Sequence, residues 1–416
     1  MPSENIITGL DIGSSHIRMV VGQVSKGPTD SAQLNIIGVV EVPSLGVNKG
    51  SVVAIEDAVS CVSSCLEKAE RMIGLPILKA YVGIGGTHIS SQESNGVIAI
   101  TKKTGEIQDS DVLRVIESAR SVSAPVNYEV LHVIPKTFSV DNQTGVKDPV
   151  GMSGIRLEAT TQIIRGLASQ ISNIERIVHR CGLDINDLIF SGLSSAEAVL
   201  NSKQKEMGVA VVDIGAATTK VVVFEEGDIL HVAVLAIGAD HVTGAIAICL
   251  QTSLEVAERL KLDIGSANPE TFEKDDNINL RDFGGEDQTF SKKYIAQIIE
   301  ARVEEIFKKV DKELQKINRS GLLQAGLVLV GGGAKLKGIV EAGKKNTMLP
   351  VSLGVNKRFN SAVDKVNDVS FSSALGLILL GFGNLGKDSG KNTIKMPQSV
   401  GKAIDGVKKW FKNLIS

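Results

Sequence analysis

Residues 7–24 read ITGLDIGSSHIRMVVGQV, and residues 209–227 read VAVVDIGAATTKVVVFEEG. Each is an apolar strand, then Asp-Ile-Gly with small or hydroxyl residues, then a second β-rich strand. The pattern predicts a hairpin with an acidic residue at its bend, once in each half of the 416-residue chain. Two copies imply two related α/β lobes facing each other.

The bend residues suggest a chemistry. Glycine lets backbone N–H groups turn toward a phosphate chain, and Ser14 and Ser15 beside Gly13 add hydroxyl donors. Asp11 cannot bind phosphate directly, because the charges repel, but it can hold the water shell of a Mg²⁺ ion. Asp213, Gly215, Ala216, Ala217, Thr218 and Thr219 offer the mirror arrangement. A third element is Gly331, Gly332, Gly333 and Ala334 after the apolar run LVLV, where a glycine turn admits something flat such as adenine or ribose. Together these predict a nucleotide and its cation clamped between the lobes.

Between the hairpins, helical stretches such as EDAVSCVSSCLEKAERMIG (56–74) alternate with short apolar runs such as KAYVGIGG (79–86), the pattern of α/β layers. Residues 84–160 read strand, helix, strand without a nucleotide-type loop, and are expected to form an inserted small α+β unit. GADHVTGAIAICLQTSLEVAERLKLDIGSA (238–267) is helical, and SKKYIAQIIEARVEEIFKKVDKELQKI (291–317) is a long amphipathic helix packed on the second lobe. The expected units are 1–83, the insert 84–160, and 161–205 for the first lobe. Those of the second are 206–238, an upper part 239–290, and 291–382. A linker 383–399 and a terminal helix 400–416 complete the chain.

Apolar residues make up 43% and charged residues 22%, ordinary for a globular protein, and a net charge of −2 gives no global nucleic-acid signal. The charge is unevenly placed: residues 387–416 carry +5 and the rest −7, which signals a partner for the basic end. Cys61 and Cys65, spaced i, i+4 in an apolar stripe, read as reduced core residues. The six histidines show no ligand spacing, so a protein-ligated metal is not expected. The start MPSENIITGL lacks the pattern of a secretory leader, and ALGLILLGFG (374–383) is too short to span a bilayer, so the expectation is a cytoplasmic body.

The two Asp-Ile-Gly hairpins and LVLVGGGAKLKGI (327–339) resemble the actin/Hsp70/sugar-kinase superfamily. Within it, VGIGGTHISSQESNGVIAI (82–100), LHVIPKTFSVDNQTGVKDPVGMSGIRLEA (131–159) and GLSSAEAVL (192–200) resemble the FtsA family of bacterial cell-division proteins. The resemblance implies a two-lobed actin-like ATPase fold of duplicated ribonuclease-H-like lobes, with an SHS2-type insert in the first lobe and a C-terminal amphipathic helix. It implies ATP and Mg²⁺ between the lobes, with Asp11, Gly13, Ser14 and Ser15 as the first phosphate loop and Asp213, Gly215, Ala216, Ala217, Thr218 and Thr219 as the second. Gly331, Gly332, Gly333 and Ala334 map onto the adenosine turn. Glu258 and Lys261 in AERLKLDIG (257–265) map onto the helix that touches adenine and ribose. FtsA-like second loops usually read Asp-Ile-Gly-Gly-Gly-Thr-Thr. If Ala216 or Ala217 stands where φ > 0 is required, the cost is about 1 kcal/mol. Relatives place a water-orienting Gln or Glu near Ser191, and serine serves that role poorly. Glu197, the nearest carboxylate, reads as a surface residue. The expectation is nucleotide binding with at most slow hydrolysis through Asp11 and Asp213.

The terminal stretch VGKAIDGVKKWFKNLIS (400–416) holds the one tryptophan of the chain. On a helical wheel Val400, Ala403, Ile404, Val407, Trp410, Phe411, Leu414 and Ile415 share an arc of about 140°, a typical apolar face. Lys402, Asp405, Lys409 and Lys412 lie opposite, with Lys408 at the border. A basic helix with Trp and Phe at its polar–apolar boundary suits the headgroup level of an anionic membrane. Val407, Lys408, Trp410, Phe411, Leu414 and Ile415 are therefore the expected membrane contacts.

The resemblance implies a scaffold that polymerises at the cytoplasmic membrane face of the division septum, tethers the tail of the tubulin-like protein FtsZ near residues 239–290, and recruits later division proteins. Two other readings share the fold: a sugar-kinase-type phosphotransferase, for which no catalytic carboxylate is assignable, and a PilM-like pilus adaptor, which is expected to lack the amphipathic tail.

Overall fold

The structure is a computed structural model that describes residues 6–385 except 27–31, 102–104, 123–125, 274, 357–358 and 362. The stretch 400–416, expected as an amphipathic helix, and its expected membrane contacts Val407, Lys408, Trp410, Phe411, Leu414 and Ile415 lie outside the described residues.

Two five-strand motifs repeat. In the first lobe β1 (Ile6–Ile12), β2 (His16–Lys26) and β3 (Ala32–Pro43) form an antiparallel meander. β4 (Lys79–Ile84) then pairs parallel to β1, and β9 (Asp184–Phe190) pairs parallel to β4. In the second lobe β10 (Val209–Ile214), β11 (Thr219–Glu225) and β12 (Asp228–Leu235) form the meander. β13 (Gly326–Val330) pairs parallel to β10 and β14 (Val351–Leu353) parallel to β13. Both sheets thus carry the order third, second, first, fourth, fifth. The short β15 (Asn360–Ser361) adds to the first sheet beside β3. The central strands VAVVDI and GLVLV are buried along their whole length and apolar apart from Asp213, because both faces of the sheet are covered.

Between β4 and the helix α3 (Ala168–Arg180) lies the insert. It is a four-stranded antiparallel sheet in the order β5 (Ser90–Ala99), β8 (Arg156–Leu167), β6 (Tyr128–Val140) and β7 (Gln143–Val146). Helix α2 (Asp109–Val122) packs on it over a core of Ile107, Val115, Phe138, Leu157 and Ile163. The insert also reaches the second lobe: Ser91 Oγ donates to the Val232 carbonyl at 2.8 Å, and Lys147 pairs with Asp228.

Helix α1 (Ile55–Ile73) covers the first sheet with Ala58, Val62, Cys65 and Ala69. Cys65 is buried, which pushes its thiol up to about 12, while Cys61 is half-buried against the same core; both are free. The stretch 238–267 divides into α5 (Ala239–Leu250) and α6 (Leu254–Asp263), capped at Ser253 by its own side chain on the Val256 N–H. Helix α7 (Lys292–Lys316) packs on the second lobe through Ile299, Val303, Ile306 and Phe307, and α8 (Ile339–Thr347) lies beside it.

Each lobe ends in a helix that rests on the other lobe. Helix α4 (Ser191–Val199) follows β9, yet Phe190, Leu193 and Ala196 share a core with Val211, Val222, Val328 and Val330 of the second sheet. Helix α9 (Ser372–Leu385) closes the second lobe, yet Ala374, Leu375 and Ile378 pack with Ile7, Val20 and Ile36 of the first sheet. The two helices touch where Gly376 lies on the Ser194 carbonyl; a Cβ there would come within 1.7 Å of that oxygen. Among the described residues no helix is long and apolar enough to cross a membrane.

Two histidines make the fold pH-sensitive. Burial lowers His132 and His88 from the ordinary 6.5 to about 4. His132 Nε2 accepts the Phe190 N–H at 2.9 Å, a bond that only the unprotonated nitrogen makes. The folded state therefore binds fewer protons than the unfolded chain between these values, and stability falls as pH falls. Each histidine is expected to remove about 1.4 kcal/mol per pH unit between pH 6.5 and 4. A urea midpoint that stays flat from neutral pH to pH 5 would contradict this.

Candidate nucleotide cleft

The two hairpin bends are built alike. Gly13 N–H donates to the His16 carbonyl at 3.1 Å, and Gly215 N–H to the Thr218 carbonyl at 2.9 Å. In register, Asp11 stands opposite Arg18 and Asp213 opposite Lys220. Both bends open into one cleft. Asp11, Gly13, Ser14, Ser15, Asp213, Gly215, Ala216, Ala217, Thr218, Gly331 and Gly332 line it. The sequence reading did not single out His16, Arg18, Gly50, Gly85, Lys220, Ser370 and Ser373, which line it as well.

The aspartates are buried, 8% and 5% exposed, so each needs hydrogen-bond partners within the protein. One helix reaches both. Ser191 Oγ donates to Asp11 Oδ1 at 3.2 Å, and Ser195, one turn on, donates to Asp213 Oδ2 at 3.1 Å. Ser373 at the start of α9 gives Asp11 Oδ1 a second bond at 2.9 Å and lies 3.2 Å from Ser194 Oγ. Glu197 of the same helix is only part-exposed; it pairs with Lys205 at 3.0 Å, away from both aspartates.

Lys220 Nζ lies 3.0 Å from Asp213 Oδ2. Burial works against its charge, but the attraction of Asp213, then of Asp11, together with the Asp213 hydrogen bond, outweighs this and raises its pKa. Gly331 has φ +86, and a Cβ on it would stand 2.4 Å from Asp213 Oδ1, so glycine is required there by backbone and carboxylate alike. Gly332 faces open space, whereas Gly333 packs on Ile214 and Ala334 is buried.

Neither Ala216 nor Ala217 has positive φ, so the strain expected for alanine in this loop does not arise. The loop is held from behind. Ala239 N–H and Asp240 N–H, in the first turn of α5, donate to the Gly215 and Ala216 carbonyls at 2.9 and 2.8 Å. Among the described residues the N–H groups of Ser14, Ser15, Ala216, Ala217 and Thr218 have no backbone acceptor, the arrangement of an anion-binding nest. Ser14 Oγ accepts from Gly50 N–H at 3.0 Å, which leaves its proton for another acceptor.

Other expected residues lie off the cleft lining. Thr219 is fully buried and donates to the Ile237 carbonyl at 2.8 Å. Lys261 is buried; it pairs with Glu258 at 2.7 Å and donates to Thr243 Oγ1 at 2.9 Å. Their helix nevertheless sits close to the loops, since Thr243 belongs to the helix that braces the second bend.

Residues 86–165 match the family described as "SHS2 domain inserted in FTSA", and residues 210–376 match "Cell division protein FtsA". Cell division protein FtsA of Pseudomonas aeruginosa is 37% identical over 91% of this chain and 90% of its own length. That of Neisseria meningitidis is 34% identical over 99% of both. Among solved structures, a PilM-PilN type IV pilus biogenesis complex aligns with TM-score 0.65 at 18% identity over 91% of this chain and 99% of its own. MreB5 of Spiroplasma citri bound to ADP aligns with TM-score 0.53 at 12% identity over 93% of this chain and 100% of its own. The structural likenesses establish the actin-like fold, and the sequence likenesses, running nearly end to end, place this chain in the cell-division protein FtsA family.

Proposed function

We propose that the chain is an ATP-binding scaffold of cell division that assembles like actin, tethers FtsZ to the cytoplasmic face of the membrane through its terminal helix, and receives later division proteins. The observation that carries the nucleotide part is the pair of Asp-Ile-Gly bends lining one cleft, both aspartates held by α4. The nest of free N–H groups at the bends would take the phosphates. Mg²⁺ would sit on waters held by Asp11 and Asp213, whose recorded hydrogen bonds go to Asp11 Oδ1 and Asp213 Oδ2 and leave one oxygen of each for that shell. Gly331 and Gly332 would border the adenosine, with Glu258 and Lys261 behind it. The MreB5 structure holds ADP on the same fold, which supports this reading. Ser191 already donates to Asp11 and is no base, so turnover is slow.

The FtsZ tail would dock on the upper second lobe, 239–290, where Ile248, Leu254 and Leu262 are exposed at 79%, 61% and 67%. Large apolar side chains exposed on two successive helices suit a protein partner. The membrane part rests on the tail composition, +3 over the last seventeen residues with Trp410 and Phe411 at the border.

The test is pelleting with anionic liposomes, ATP and FtsZ. The full chain is expected to bring FtsZ down, and a truncation at Met396 to leave it in solution. Trp410→Glu places a charge in the apolar face and is expected to lower liposome binding by about tenfold or more. Unchanged co-sedimentation of that variant would overturn the anchor.

A further inference from the structure

Arg18 and Lys220 hold the same place in the two repeats, each seven residues after its aspartate and opposite it in register. Both line the cleft, but their partners differ. Arg18 pairs with Glu41 at 2.6 Å, and its guanidinium lies 5.5 Å from the centre of the Phe371 ring. Lys220 enters the cleft. Its stem passes over Gly85 of the first lobe, where a Cβ would stand 2.6 Å from Lys220 Cε. Its ammonium meets Asp213, and the side chain is only 12% exposed. The second lobe thus places an almost dry positive charge beside the acidic bends of both lobes.

That location is where the phosphate chain is expected. A divalent ion normally offsets the repulsion between a polyphosphate and nearby carboxylates. An ammonium does part of the same work as a point charge and is a good partner for phosphate oxygens. The glycine at position 85 leaves the stem room to lie there, so the position is built rather than incidental.

We propose that Lys220 is the resident cation of the cleft: it meets the nucleotide phosphates itself, and nucleotide affinity in this chain depends little on Mg²⁺. This rests on the nucleotide reading above. On binding, the ammonium shifts from Asp213 toward a phosphate oxygen, and the accompanying Mg²⁺ adds geometry more than affinity.

The experiment is equilibrium titration of a fluorescent ATP analogue into the full-length chain, in magnesium buffer and in EDTA. For the unmodified chain the two dissociation constants are expected to agree within about threefold. Lys220→Met is expected to lose about tenfold or more in EDTA and to recover most of it with magnesium. Lys220→Arg should retain binding in both. Should Lys220→Met fail to fold, Lys220→Gln removes the charge while keeping a donor and is read in the same way. Binding of the unmodified chain that collapses in EDTA overturns the assignment of Lys220 and leaves the nucleotide reading standing. So does a neutral variant that matches the unmodified chain in EDTA. Absence of binding in either buffer overturns both.

Discussion

Asp213→Ala is expected to lower stability by about 3–5 kcal/mol, because it strands the Lys220 ammonium in a buried site without its carboxylate. The side chains of this pair are 12% and 7% exposed, so water does not replace what is removed. The substitution also strips Ser195 of its acceptor and leaves the Cβ-free surface of Gly331 facing a void. The measurement is a urea midpoint. Adding Lys220→Met to Asp213→Ala should restore much of the loss, since removing both charges is far milder than removing one. If the double variant is as unstable as the single, the ion pair is not the cause. The milder Asp213→Asn serves for catalysis: a brisk ATPase of the purified chain that this change abolishes would overturn slow turnover.

Gly376→Ala is expected to destabilise by about 3 kcal/mol, through overpacking between α4 and α9. Two effects oppose each other. Alanine is the better helix former by about 1 kcal/mol. Against it, the new Cβ would lie 1.7 Å from the Ser194 carbonyl oxygen, a backbone atom that cannot swing aside. The helices would have to separate by more than an ångström or so, the shortfall from ordinary packing distance, and the clash outweighs the propensity. Separation would also pull Ser373 from Asp11 while Ser191 stays, loosening the first bend. Reduced stability together with weaker nucleotide binding is the expected signature. A variant as stable as the parent would mean that α4 and α9 slide past one another freely.

The hairpins were legible because Asp-Ile-Gly occurs twice between β-rich runs, and a repeated turn with a repeated charge is a local signal. The duplicated sheet order follows from that repeat. The α5–α6 break was less plain, since 238–267 keeps an apolar period across it while Gln251 takes a left-handed conformation and Ser253 caps the next helix. The lysine in the cleft carried a signal that spacing alone displays: a cation seven residues after each aspartate. What spacing does not display is that the arginine pairs with Glu41 while the lysine pairs with the aspartate of its own bend. The serines on Asp11 come from residues 191 and 373, brought together only by tertiary packing. Glu258 and Lys261 illustrate the reverse case. Their i, i+3 spacing on one face was plain, but the pair closes on itself and on Thr243 rather than lining the cleft. The strain expected of two alanines in the second loop is absent, because neither takes a positive φ.

The exchange of closing helices has a consequence for synthesis. A ribosome releases the first lobe long before residues 372–385, so Ile7, Val20 and Ile36 stay bare for most of elongation, awaiting a cover encoded near the far end. Contacts spanning more than three hundred residues form slowly and leave apolar surface open to aggregation meanwhile. The nascent chain thus carries this open apolar face until residues 372–385 have been made.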